Sequence, residues 1–88
     1  MKYTYTAIIK KESEDYYSCS VPDLPGCVTS GNSFDDAVNM ITDATSLWLI
    51  VNEDEKNPIA PPQDVHDIPD NASAVKINID TDAYRKIM

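Results

Sequence analysis

The sequence has 88 residues and a formal net charge of -8, which bounds it as one domain with little area for both a core and a deep catalytic cleft. So acidic a surface repels phosphate backbones and attracts basic proteins, so direct nucleic-acid binding is disfavoured. Its first apolar run is broken by charge too early for a signal peptide, and no stretch approaches the ~20 apolar residues that cross a bilayer; a cytoplasmic protein without a membrane partner is expected.

Tyr3, Tyr5, Ala7 and Ile9 alternate with Lys2, Thr4, Thr6 and Lys10, with Ile8 on the second face. That period of two predicts a half-buried strand. Residues 11–15 read as a charged turn. Tyr17, Cys19 and Val21 alternate with Ser18 and Ser20, which predicts a second strand paired antiparallel with the first. A corner follows, Pro22-Asp23-Leu24-Pro25-Gly26-Cys27. Each proline fixes φ and withdraws an amide donor, so neither fits a central ladder. Gly26 supplies freedom for a positive φ. The corner turns the chain into a short third strand over 27–30, a structural role that needs no chemistry.

Gly31-Asn32 ends that strand, and Ser33-x-x-Asp36 has the form of a capping box. Asp35 and Asp36 suit the positive end of a helix. Phe34, Ala37, Val38, Ile41, Ala44, Thr45, Trp48 and Val51 follow at helical spacing, which predicts an amphipathic helix lying on one face of the sheet. Leu49 and Ile50 fall on the otherwise polar side, read either as a contact with another chain or as local fraying. Together with the small size they predict a homodimer or higher oligomer. Residues 52–70 are acidic and proline-rich, an extended surface connection. Val75, Ile77 and Ile79 form a fourth strand, with a residual helical turn through Ala83, Tyr84 and Arg85. The expected fold is α+β in the order β-β-β-α-β.

No grouping of side chains makes a persuasive active site. Cys19 and Cys27 match no common zinc spacing and read as buried, reduced thiols, with a disulfide or metal as the alternatives. His66, the single histidine, lies among Asp64, Asp67 and Asp70 in a proline-broken segment that pre-arranges nothing, so a solvated loop is favoured over a metal site. The carboxylates of Glu12, Glu14 and Asp15, of Asp35 and Asp36, and of Glu53, Asp54 and Glu55 sit in turns or helix ends, where solvated charge is the default. With Gly26 and Gly31 the only glycines, there is no phosphate-cradling loop. No catalytic residue, metal or cofactor is expected, and the protein reads as a non-enzyme.

The run VPDLPGCVTSGNSFDDAVNMITDA resembles the signature of the HicB-like antitoxin family, and Tyr17, the NPIAPP segment and VKINIDTDAYR also look similar. The resemblance spans nearly the whole chain. It implies a single HicB-like antitoxin domain over residues 1–88 with a partial RNase H-like fold that lacks that enzyme's catalytic carboxylates. It also implies a partner, the HicA toxin: a small, basic, RNA-cleaving protein with a catalytic histidine, sequestered by its antitoxin. Candidate toxin contacts, chosen by charge, are Glu12, Glu14 and Asp15 on the hairpin and Glu53, Asp54 and Glu55 after the helix. Many family members continue into a DNA-binding segment; this sequence stops at Met88, so no C-terminal DNA-binding domain is expected and autorepression is not carried over. The alternative is a standalone RNase H-like nucleic-acid-binding protein without a cognate toxin.

Overall fold

Six elements follow one another along the chain: β1 (Lys2–Ser13), β2 (Tyr16–Ser20), β3 (Val28–Gly31), α1 (Phe34–Asp54), β4 (Ala72–Asp80) and α2 (Thr81–Lys86). They are drawn from a computed structural model that describes residues 2–59, 61 and 68–86; His66 lies outside the described residues. The strands make one antiparallel sheet ordered β3-β2-β1-β4. The order is therefore β-β-β-α-β-α, the predicted last turn being a short helix in its own right.

Strand β1 is longer than its apolar alternation indicates. It pairs with β4 from Lys2↔Asp80 to Lys10↔Ala72 and with β2 as far as Ser13↔Tyr16, with an irregularity between Lys11 and Ser13. Residues 11–13 are thus strand, and the turn is confined to Glu14 and Asp15. A polar cross-strand contact supports this extension, Ser18 donating to Glu12 at 3.0 Å, and Lys10 on the same strand lies 3.8 Å from that carboxylate.

One face of the sheet carries Tyr5, Ala7, Ile9, Cys19, Ile77 and Ile79, all buried against α1. Burial on the helix follows Ala37, Ile41, Thr45 and Leu49. A spacing of four advances about 40° per step on a helix of 3.6 residues per turn, so the buried face winds round α1 along its length. Leu49 and Ile50 therefore end up inside, at 0% and 5% exposure. Phe34 and Val51, expected in the core stripe, stay exposed at 39% and 49%. Neither an interchain contact nor fraying describes Leu49 and Ile50, and they give no support to a dimer.

The corner is a pair of turns locked onto the core. Leu24 N–H donates to the Val21 carbonyl at 3.0 Å and Cys27 N–H to the Leu24 carbonyl at 3.1 Å, while Val21 N–H closes the loop on the Cys27 carbonyl at 3.0 Å. Pro25 and Gly26 occupy the two central positions of the second turn, with Gly26 at φ +78°, the geometry of a type II turn. Leu24 plugs the apex into the core, and the Trp48 indole donates to the Pro25 carbonyl at 3.0 Å.

Both ends of α1 are capped. Ser33 Oγ accepts from Asp36 N–H at 3.1 Å, and the Asp36 carboxylate accepts from Asn32 N–H at 2.9 Å, one residue earlier than in the standard capping box. At the other end Asn57 N–H bonds the Asn52 carbonyl at 2.9 Å and Lys56 N–H the Glu53 carbonyl at 3.1 Å, with Lys56 left-handed at φ 58°. That is a Schellman ending. The helix thus absorbs Glu53 and Asp54, which the sequence reading assigned to the connection.

Candidate partner-binding surface

The six carboxylates singled out by charge do not form one patch. Glu12, Glu14 and Asp15 lie at the β1–β2 hairpin and are exposed, whereas Glu53, Asp54 and Glu55 close α1 beside Tyr3, at the opposite end of β1. The two groups stand about 30 Å apart at roughly 3.3 Å of strand per residue.

The second group is largely spoken for within the chain. Glu53 Oε2 accepts from Tyr3 Oη at 2.7 Å and from Thr81 Oγ1 at 3.1 Å, and its Oε1 lies 3.2 Å from Arg85 Nη2. Arg85 also grips Asp54 with both nitrogens, at 2.9 and 3.3 Å, and donates to the Ile50 carbonyl at 3.4 Å. The last turn of α1 has no basic residue of its own, so its negative end and its acids would repel one another. Arg85, reaching over from α2, supplies the missing charge. Burial pushes the Glu53 carboxyl up, but the bonds from Tyr3, Arg85 and Thr81 outweigh it and hold the group below its ordinary value. Burial, then the Glu53 bond and charge, push Tyr3 up to about 12.

Both cysteines are free and buried. Cys19 Sγ donates to the Ala37 carbonyl at 3.6 Å, and Cys27 Sγ lies 3.4 Å from Thr45 Oγ1. Burial raises the pKa of both thiols, which disfavours the thiolate that nucleophilic chemistry or metal binding needs. Among the described residues no group of three or more His, Cys, Asp or Glu side chains could hold a metal ion. No helix among them is long and apolar enough to cross a membrane.

What the fold does display is apolar surface that charge-based reasoning missed. Because α1 covers only one face of the sheet, the other bears Ile8 and Val28 among hydroxyl side chains, including Thr4, Ser18 and Ser20. Around the β3 edge, Val28 is 66% exposed, and Met40, Leu47 and Val51 project from the outer side of α1. The signal was present in the sequence as a second apolar spacing on the helix, at 40, 44, 47 and 51.

The chain is an α+β domain whose sheet is covered by α1 on one face only, with exposed acids and an uncovered apolar flank. Residues 5–86 match the model of the family described as HicB_like antitoxin of bacterial toxin-antitoxin system, and the chain belongs to that family. A UPF0150 protein of Archaeoglobus fulgidus is 35% identical over 49 residues, covering 56% of this chain and 71% of the relative. A UPF0150 protein of Synechocystis is 36% identical over 47 residues, covering 53% and 60%. Among solved structures, a chain of a toxin–antitoxin complex from Streptococcus pneumoniae superposes with a TM-score of 0.80 at 17% identity, over 96% of this chain and 73% of the other. The amino-terminal domain of Burkholderia pseudomallei antitoxin HicB gives 0.66 at 18% identity, over 88% and 98%. A chain of the HicA3 and HicB3 toxin-antitoxin complex gives 0.61 at 24%, over 88% and 95%. These structural likenesses establish the shared α+β fold.

Proposed function

We propose that this chain is a non-enzymatic antitoxin that binds and neutralises a HicA-like RNA-cleaving toxin in the cytoplasm, on a scaffold of partial RNase H-like type. The observation that carries the reading is family membership across residues 5–86. Similar folds occur in chains of toxin–antitoxin complexes, and a net charge of -8 suits a basic partner. Within this reading Glu12, Glu14 and Asp15 act as steering charges on the hairpin. Glu53 and Asp54 serve mainly to hold α1, β1 and α2 together, and Glu55 adds exposed charge at the helix end.

The test is direct. Purified chain is added in increasing ratio to a purified cognate HicA-like toxin, and RNA decay is followed. Cleavage is expected to stop near equimolar antitoxin; undiminished cleavage at excess overturns the assignment.

A further inference from the structure

Helix α1 carries two apolar faces where one suffices to cover the sheet. The first winds through Ala37, Ile41, Thr45 and Leu49 into the core. The second is Met40, Ala44, Leu47 and Val51, spaced four, three and four, which keeps them in one row along about three turns. Met40, Leu47 and Val51 are 42%, 44% and 49% exposed. Ala44, Leu47 and Val51 of this row, with Trp48, line a groove of about 430 Å³ whose other wall is Gly26, Cys27 and Val28 at the β3 edge.

The groove's own lining is uncharged, and Glu53 and Asp54 at its end are already paired with Arg85. Along its 21 residues α1 has no Lys or Arg, and its charged side chains are Asp35, Asp36, Asp43, Glu53 and Asp54; Asp43 stands beside the exposed row. The corner's contribution to the groove's other wall, Gly26 and Cys27, is uncharged. Packing this face on a second copy would bring together two chains of net charge -8 with Asp43 beside the contact and no Lys or Arg on either α1 to relieve it. An apolar row at 4-3-4 spacing is complementary to the ridges of another helix. The β3 edge is only four residues long, a poor template for an added strand.

We propose that the groove between the outer face of α1 and Val28 receives an amphipathic helix with basic flanks, supplied by the toxin. The inference rests on the antitoxin reading and adds to it the surface used and the secondary structure of what it takes. Apolar burial in the groove gives the complex its lifetime, while Asp43 and the chain's net charge of -8 favour a cationic partner.

The test uses the full chain and the same purified cognate HicA-like toxin. Wild type, a Leu47→Glu/Val51→Glu double variant and an Ala74→Glu control, exposed on the open sheet face opposite Ile8, are each titrated with toxin by calorimetry. Melting temperatures confirm that the half-exposed positions leave the fold intact. The double variant adds negative charge and would gain general attraction to a basic protein, so a loss of affinity reports the apolar groove alone. At least a tenfold loss is expected, with the Ala74→Glu control unchanged. Should wild type bind and the double variant bind equally well, the groove is wrong and the antitoxin reading stands. Should wild type not bind, both fall. If light scattering shows that the double variant abolishes self-association while toxin affinity is kept, the occupant is a second copy and the proposal is overturned. A Leu47→Ala/Val51→Ala pair supplies the same comparison if the charged pair melts early.

Discussion

Tyr3 donates its phenolic proton to Glu53 across 2.7 Å, tying the second residue of β1 to the last turn of a helix fifty residues later. The same carboxylate takes Thr81 and faces Arg85, so three elements meet on one side chain. This is why an acid at the negative end of a helix is stable where it stands.

Acidification therefore has a defined target. Glu53 is held below its ordinary value in the folded chain, so its stabilising contribution is fully present above the unfolded pKa, about 4.3, and is lost as pH falls through the folded value. Tyr3 runs the other way. Its folded value of about 12 makes its contribution complete below the unfolded value near 10 and lost as pH rises from there through 12. Glu53→Gln is expected to cost about 1.5–3 kcal/mol at neutral pH, the range for hydrogen bonds to a charged group, and to flatten the acid limb below about pH 4.5. Urea melts of both proteins from pH 3 to 7 check it; parallel acid limbs would remove Glu53 from the account.

The two glycines are expected to fail differently. A Cβ on Gly26 meets nothing within 4 Å, so Gly26→Ala has only its φ of +78° to contend with, about 1–2 kcal/mol. A Cβ on Gly31 would lie 2.5 Å from the Ala37 amide nitrogen and 2.7 Å from its Cα, against backbone in the first turn of α1. That contact can be relieved only by moving the helix from β3, so Gly31→Ala is expected to exceed Gly26→Ala by at least ~1 kcal/mol, at the upper end of overpacking costs or beyond. Equal denaturation midpoints would show that the strand end yields more easily than this geometry allows.

Leu49→Ala is a core truncation and not an interface change. The side chain is fully buried, so a loss of about 2–5 kcal/mol is expected, with no change in molar mass by light scattering under conditions where the chain stays folded. Stability unaffected by this substitution, together with a halved mass, would restore the interchain contact.

This residue also shows where sequence reasoning runs short. Alternation in β1 and β2, the proline corner with its positive-φ glycine and the Ser33 cap are local features, and each was legible from neighbours within a few residues. The buried face of α1 is not local. It depends on where along the helix the sheet and α2 meet it, and a straight 3.6-residue stripe misplaces Leu49, Ile50, Phe34 and Val51. The candidate site was half-legible for the same reason. Charge could be counted from the sequence, but only the fold separates the hairpin acids from Glu53 and Asp54 and gives the latter an internal cation. The apolar row at 40, 44, 47 and 51 was readable, yet its exposure became visible only once the first face was seen to turn away.

That separation makes the two acidic groups distinguishable by experiment. Glu14 and Asp15 are exposed at the hairpin tip, where a charge acts on an approaching partner through solvent and is screened within about 8–10 Å at physiological salt. Replacing both with lysine is expected to slow association with a basic toxin several-fold to tenfold at low ionic strength. The effect should shrink as salt is added, with the melting temperature unchanged. Glu53→Gln should do the reverse, lowering the melting temperature while leaving the association rate within about twofold, because Arg85 already offsets that charge. Stopped-flow association at two salt concentrations, beside thermal melts, separates the cases. If hairpin reversal leaves the rate untouched at low salt, the hairpin acids do not steer the encounter, and the partner's basic surface must be met by the α1 rim instead.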